Sequence, residues 1–162
     1  RAVRGLGGAT LRFNFRGVGL SAGRHAEGQA EAEDVRAALG WLAARHPDLA
    51  RWACGFSFGA WMALEAGCPD PAVRGVLCAG LALSLREGVA GRVRACPKPL
   101  AVVQAERDEF ALPAEVERAL AGSAGPRRLA TVEGASHLFT EALPALERAA
   151  GEAMAWLLET AA

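Results

Sequence analysis

The sequence has little excess of charge of either sign, and this restricts its partners. Lysine and arginine together number 18, aspartate and glutamate also number 18, and the formal net charge is zero. A nucleic-acid-binding domain would carry a basic excess or a basic stripe, and a polybasic membrane anchor would do so too. No apolar run approaches the length of a membrane span. We therefore expect neither a nucleic acid nor a membrane among the partners.

Cysteine is scarce, and its spacing argues against a common type of metal site. None of the 4 cysteines belongs to a C-x-x-C pair, so neither a zinc site nor a thioredoxin-like motif is indicated. Cys54 and Cys78 fall within predicted buried strands, where a free thiol behaves as a small hydrophobic side chain. Reduced cytosolic thiols are the favoured interpretation and a disulfide stays open, so the predicted location is the cytoplasm.

The beginning of the chain also lacks expected features. Residues 1–8 contain neither an initiator methionine nor the apolar core of a signal peptide, and the sequence opens in mid-pattern. We therefore expect further sequence to precede residue 1.

Strand-like and helix-like patterns alternate along the chain. Apolar stretches rich in β-favouring residues predict strands over residues 9–15, 49–56, 73–79, 99–104 and 127–132. Apolar positions at helical spacing predict helices over residues 31–45, 58–66, 113–120 and 139–158, and a less regular connection over 80–97. This alternation indicates the α/β class, with a mostly parallel sheet and helices on both faces. Without any visible linker or repeat, residues 1–162 are predicted to form one domain.

Gly55-Phe56-Ser57-Phe58-Gly59 forms a G-x-S-x-G motif where a predicted strand turns into a predicted helix. Such a turn raises the serine hydroxyl above the sheet, and its tightness favours small residues two positions before and after the serine. The helix that begins at Phe58 directs its first N–H groups at the site, so the Phe58 N–H is the expected oxyanion donor. The alternative is a glycine-rich turn whose serine only caps the helix.

Asp108 is the favoured acid partner of Ser57. It follows the predicted strand over residues 99–104, downstream of Ser57 and ahead of a loop that contains a histidine. Glu106 and Glu109 are neighbours that could take the same role. A solvated loop carboxylate is the alternative interpretation of Asp108.

His137 is the expected base. It is the only histidine downstream of Ser57 and lies just after the predicted strand over residues 127–132. Elsewhere a lone histidine at such a position is more often a surface or cap residue. Ligands of parallel sheets bind beyond the carboxyl ends of the strands, where Ser57, Asp108 and His137 are all predicted to lie. Their order along the chain is that of nucleophile, acid and base in α/β-hydrolases.

Residues 17–23 form a glycine-rich loop that does not match a nucleotide-binding fingerprint. Its glycines follow G-x-G-x-x-x-G rather than G-x-G-x-x-G, no acidic residue ends a second strand, and Lys98 is not part of a Walker motif. We therefore expect no nucleotide, no metal and no organic cofactor. The loop is interpreted as a wall of the site or a tight connection. His25 is a candidate to line it, and a solvated histidine is the favoured interpretation.

Residues 11–21, the elbow at residues 55–60, Asp108-Glu109 and residues 134–139 together resemble the small bacterial α/β-hydrolases. These minimal, nearly cap-free proteins are related to the dienelactone hydrolase and CocE/NonD-type groups, and the resemblance covers essentially the whole chain. It implies an α/β-hydrolase fold lacking its first strands. It also implies a serine hydrolase that acts on an ester or related acyl bond of a small molecule.

The resemblance is incomplete at two places. Family members carry Gly-Asp-x-Asp-Glu at the acid loop, where this chain has Ala105-Glu106-Arg107-Asp108-Glu109, so the acid is retained with a different lead-in. Family members also have a His-Pro or Gly-Gly oxyanion loop before the strand that corresponds to residues 9–15. Gly7-Gly8 is too close to that strand, so the resemblance implies that the second oxyanion donor lies upstream of residue 1.

Two functions follow from these patterns. The first is a serine hydrolase in which Ser57 attacks a carbonyl, with Leu81, Leu83 and Leu85 as candidate pocket residues. The second is a non-catalytic α/β-hydrolase-like domain used for binding, because a fold does not determine a function. An unpaired strand over residues 9–15 would also favour a homo-oligomer.

Overall fold

The computed structural model describes residues 8–161 and contains a layered arrangement of helices and parallel strands. The elements in chain order are α1 (Glu31–Arg45), β1 (Arg51–Phe56), α2 (Phe58–Gly67), β2 (Val73–Ala79), α3 (Val89–Ala95), β3 (Leu100–Ala105), α4 (Pro113–Leu120), β4 (Arg127–Val132) and α5 (Leu143–Thr160). Most of these bounds agree with the sequence-based expectations to within a residue or two.

The strands form a parallel sheet in the order β1-β2-β3-β4. Cys54 is opposite Leu77 in the β1–β2 pair, and Val102 is opposite Leu129 in the β3–β4 pair. Since every strand runs in the same direction, their carboxyl ends share one edge of the sheet. The expectation of a parallel α/β sheet is confirmed.

Apolar cores cover both faces of the sheet. All six residues of β3 are buried, and their side chains alternate between the faces. Leu100 and Val102 join the core beneath α2, α3 and α4, whereas Ala101 and Val103 join the core beneath α5. Burial on both sides explains why this strand is continuously apolar, and it confirms that helices cover both faces.

The prediction of a strand over residues 9–15 is wrong for the described structure. This segment has no strand assignment, and none of the described residues pairs with it. A strand requires a neighbour for its backbone groups, and β-favouring side chains alone do not supply one. The segment is instead held by aromatic contacts, since Phe15 packs edge-on against Phe13 and Phe58 at ring distances of 5.3 Å. The expectations about residues 1–7 lie outside the described residues.

Two further boundaries differ from expectation. The irregular connection over residues 80–97 contains the short helix α3. Helix α5 begins at Leu143 rather than at Phe139, because Phe139 has a φ of 55°, which is incompatible with a right-handed helix. Even α5, with 18 residues, lacks the apolar character for crossing a membrane, and so do the other helices among residues 8–161.

A disulfide corrects the expectation of reduced thiols. Cys68 and Cys96 are bonded, with their Cα atoms 5.3 Å apart. They directly follow α2 and α3, which pack against each other. Cys78 is buried as expected, whereas Cys54, which was also expected to be buried, is exposed.

Removal of this disulfide is expected to destabilise the fold measurably. It joins residues 28 positions apart, and the chain-entropy relation gives about 3–4 kcal/mol for a loop of that size. The double variant Cys68→Ala/Cys96→Ala should lose about that much unfolding free energy in urea denaturation. Cys54→Ala serves as the control and should change stability by less than about 0.5 kcal/mol. Detection of four reactive thiols in the unreduced, denatured protein would contradict the disulfide itself.

Candidate active site

Ser57 lies on a strained turn between β1 and α2. Its φ of 52° and ψ of −115° are unusual for a residue with a side chain. The Ser57 N–H donates to the carbonyl of Ala79 at 2.9 Å, which ties the turn to the end of β2. A strained serine between a parallel strand and a helix is the geometry expected of a nucleophile elbow.

The two glycines that flank Ser57 are not equivalent. A Cβ atom on Gly55 would lie 2.0 Å from the carbonyl oxygen of Gly59, so only glycine fits at that position. A Cβ atom on Gly59 would have no neighbour within 4 Å in the described part of the chain beyond its own helix. The expectation that both positions require a small residue is therefore correct for Gly55 and wrong for Gly59. The part of Gly59 that lies close to Gly55 is its backbone carbonyl group.

The structure brings Ser57, His137 and Asp108 into one hydrogen-bonded chain. His137 Nε2 lies 2.8 Å from Ser57 Oγ, and His137 Nδ1 lies 2.9 Å from Asp108 Oδ2. Asp108 is 1% exposed and His137 is 4% exposed. An ionised carboxylate can only accept, so Nδ1 carries the proton toward Asp108 and Nε2 is left to accept from the Ser57 hydroxyl.

These side chains meet because each follows the carboxyl end of a strand. Ser57 follows β1, Asp108 follows β3 and His137 follows β4. The end of β2 contributes Gly80, which the sequence analysis missed. Gly80 has a φ of 55°, and a Cβ atom there would lie 3.2 Å from His137 Cε1, so glycine leaves room for the imidazole. The signal available in the sequence was a glycine directly after β2, the strand that pairs with β1.

Glu106 and Glu109, the alternative acids, bind backbone instead of the imidazole. Glu106 Oε2 accepts from the Gly134 N–H at 2.7 Å, and Glu109 Oε2 accepts from the His137 N–H at 3.3 Å. They join the acid loop to the histidine loop and leave Asp108 facing His137.

Glu141 holds the other side of the histidine loop. Its carboxylate accepts from the Ser136 N–H at 2.6 Å and from the Thr140 hydroxyl at 3.0 Å. Hydrogen bonds from its own backbone N–H and from Ser136 lower the pKa of Glu141 to about 2. Because its pKa is lowered, the ionised Glu141 carboxylate stabilises the folded loop at pH values above the ordinary carboxylate pKa. That stabilisation is lost as the pH falls toward 2.

Phe58 is the first residue of α2, where backbone N–H groups have no acceptor within the helix. Its ring packs against Phe15, His25 and Trp61 at centroid distances of 5.3, 5.2 and 5.8 Å. The Phe58 backbone is therefore fixed beside Ser57, with the positive end of the α2 dipole directed at the site.

His25, just after the glycine-rich loop over residues 17–23, packs against Phe58 beside Ser57. The fully buried Glu31 accepts from the N–H groups of Ala26 and Gly28 at 2.5 and 2.8 Å and pairs with His25 Nδ1 at 3.0 Å. The Glu31 carboxylate thus holds residues 25–28 at the start of α1. His25 is half-exposed, but its contacts with Glu31 and Phe58 differ from the expectation of a solvated ring.

A pocket of about 180 Å³ opens beside Ser57. Most of its wall is apolar, and it is lined by Ser57, Phe58, Trp61, Leu81, Ala82, Leu85, Arg86 and Val89. The predicted lining residues Leu81 and Leu85 are present, whereas Leu83 packs against the core. Within residues 8–161, no cluster of three or more His, Cys, Asp or Glu side chains has the arrangement of a metal site.

No protein-family model matches this chain. An α/β serine hydrolase homologue from Coxiella burnetii is 31% identical, with a TM-score of 0.85 over 93% of this chain and 71% of that one. An α/β serine hydrolase without lid from Xanthomonas campestris is 30% identical, with a TM-score of 0.84 over 96% of this chain and 69% of that one.

More distant similarity extends to a named enzyme class. A dienelactone hydrolase from Anabaena variabilis is 27% identical, with a TM-score of 0.66 over 82% of this chain and 62% of that one. An uncharacterised protein of Rickettsia prowazekii is 33% identical over 106 residues, which are 64% of this chain. The matched segment spans 44% of that curated relative's length.

Because Gly55 and Gly59 differ in the space around them, replacing each by alanine gives a paired test. Gly55→Ala forces a methyl group into the Gly59 carbonyl and should cost about 3 kcal/mol or more, the upper end for overpacking. Gly59→Ala meets open space on a helix and should be neutral or stabilise by up to about 1 kcal/mol. Urea denaturation of both variants measures the difference. Equal losses would show that the elbow geometry described above is incorrect.

Proposed function

Because this chain belongs to the α/β serine hydrolase family, we propose that it cleaves an ester or a related acyl bond through an acyl-enzyme intermediate on Ser57. The observation that carries the proposal is the unbroken hydrogen-bonded chain from Ser57 Oγ through His137 to the buried carboxylate of Asp108. A serine, an imidazole and an orienting carboxylate in this geometry are the parts that nucleophilic acyl transfer requires.

In the proposed first half-reaction, His137 Nε2 takes the hydroxyl proton as Ser57 Oγ forms a bond to the carbonyl carbon. The carbonyl π electrons move onto the oxygen. When the tetrahedral intermediate collapses, the bond to the leaving alcohol breaks, and the imidazolium returns the proton to that alcohol. Water then repeats the sequence on the acyl-enzyme, releasing the acid and restoring Ser57. Asp108 keeps the imidazole oriented and stabilises its charged form.

The developing oxyanion needs hydrogen-bond donors. We assign one donor to the Phe58 N–H, which begins α2 directly after the nucleophile. No metal or organic cofactor is required for these steps.

The substrate class is a small acyl compound. The pocket beside Ser57 has apolar walls at Leu81, Leu85 and Val89, which suit an uncharged acyl or alcohol portion. Ester, thioester, amide and lactone carbonyls can all follow the same chemistry. No observation on residues 8–161 favours the non-catalytic alternative.

Covalent labelling tests the nucleophile. Ser57 should react with a fluorophosphonate probe because His137 activates it, whereas Ser84 and Ser123 bond to backbone carbonyls and should stay unlabelled. Peptide mass spectrometry of the full-length protein should place one adduct on Ser57. Ser57→Ala should abolish labelling and hydrolysis of short p-nitrophenyl esters. An adduct on another serine, or none, would overturn the proposal.

Amide substitution tests the acid. Asp108→Asn should lower kcat severely, toward the ~10⁴-fold loss seen when the acid of a serine protease triad is amidated. Glu106→Gln and Glu109→Gln are matched controls, since these side chains contact backbone rather than the imidazole. The controls should keep kcat within about tenfold of the unmodified protein, because they disturb only loop hydrogen bonds. If a control loses more activity than Asp108→Asn, the acid is misassigned.

A further inference from the structure

Gln104 is a polar side chain in a place where an apolar one would be the default. It lies near the end of β3, whose other residues are aliphatic, and it is fully buried. Burial of an amide without hydrogen-bond partners is destabilising, so such a group persists only where partners are supplied.

Every strong donor of the Gln104 amide has a partner. Its Nε2 donates to Asp108 Oδ2 and to the Ala111 carbonyl, both at 2.9 Å. Its Oε1 accepts from the Leu81 N–H at 2.8 Å. Reversing the amide would place Oε1 against two acceptors and Nε2 against a donor, so only one orientation satisfies these contacts.

One carboxylate oxygen therefore receives two donors. Asp108 Oδ2 accepts from His137 Nδ1 and from Gln104 Nε2, and Oδ1 accepts from the Phe110 N–H at 3.0 Å. With both oxygens held, the carboxylate cannot rotate without breaking a buried hydrogen bond. The orientation of Asp108 toward His137 is thus set by Gln104 and the Phe110 N–H, which lie outside the Ser57–His137–Asp108 chain.

The geometry points to Gln104 as a positioning residue for the reaction, acting through Asp108 and resting on the proposed function. Gln104 holds Asp108 Oδ2 against the imidazole of His137. It also joins the acid to Leu81, whose side chain lines the pocket beside Ser57. The acid and the pocket wall are consequently fixed by one amide.

The test compares Gln104→Met with Val102→Ala. Methionine has nearly the length and shape of glutamine but lacks the donor for Asp108 and the acceptor for Leu81. Val102 is also fully buried on β3 but makes no polar contact with the triad, so its truncation controls for core damage. For the purified full-length protein, kcat and KM on p-nitrophenyl acetate are measured at equal folded fraction.

We expect Gln104→Met to lower kcat by roughly 10–100-fold, the range for outer hydrogen-bond partners of metal sites, with KM changed less than about threefold. Val102→Ala should keep both constants near those of the unmodified protein. If Gln104→Met loses no more kcat than Val102→Ala, the positioning role is overturned. If Gln104→Met does not fold, Gln104→Leu replaces it, because leucine is also apolar and also lacks the donor for Asp108. Unchanged kcat in Gln104→Leu would likewise overturn the role.

A spectroscopic readout separates this inference from the proposed function. The hydrogen-bonded Nδ1 proton of His137 should give a far-downfield ¹H resonance, whose position reports the contact with Asp108. Gln104→Met should shift or broaden this resonance, and Val102→Ala should leave it in place. If the unmodified protein does not hydrolyse the ester, the proposed function fails, but a shifted resonance still supports positioning. An unmoved resonance overturns the positioning role whether or not the ester is cleaved.

Discussion

Parallel pairing of the strands is the constraint on which the site depends. An antiparallel neighbour would deliver its carboxyl end to the opposite edge of the sheet, whereas β1, β3 and β4 deliver Ser57, Asp108 and His137 to one edge. Residues separated by 80 positions, such as Ser57 and His137, thereby come within hydrogen-bond distance. The fold performs most of the alignment, and the loops beyond the strands make the final adjustments.

The polar side chains of the site lie in surroundings that exclude water, so the gain or loss of each hydrogen bond among them has a large effect. Gln104, Asp108 and His137 are all buried, and a hydrogen bond in a low-dielectric site is stronger than one in water. The same environment penalises any member left without a partner. A buried polar network of this kind has few arrangements that satisfy all its groups, and this uniqueness holds the imidazole in one orientation.

Local patterns in the sequence predicted the elements and the three site residues, because apolar periodicity and strand-end positions are local signals. They did not predict properties that depend on a distant neighbour. Residues 9–15 have β-favouring side chains but no described pairing partner, and the Cys68–Cys96 bond depends on how α2 and α3 pack. Gly59 was assigned a steric role that belongs to its backbone. Gln104 gave only a faint signal, a single amide at the end of an aliphatic strand.

The candidate site and a set of charged contacts that support the sheet lie at opposite edges of the sheet. At the amino edge, Arg127 at the start of β4 donates to the carbonyls of Cys96 and Lys98, and Lys98 Nζ donates to the carbonyl of Val73 at 2.5 Å. Partial burial lowers the pKa of Lys98. The side chains of Arg127 and Lys98, together with the disulfide at Cys96, stabilise the strand starts at this edge through contacts that do not involve Ser57, Asp108 or His137. The carboxyl edge can then contain the strained φ of Ser57 and a buried carboxylate, because the rest of the sheet is stabilised elsewhere.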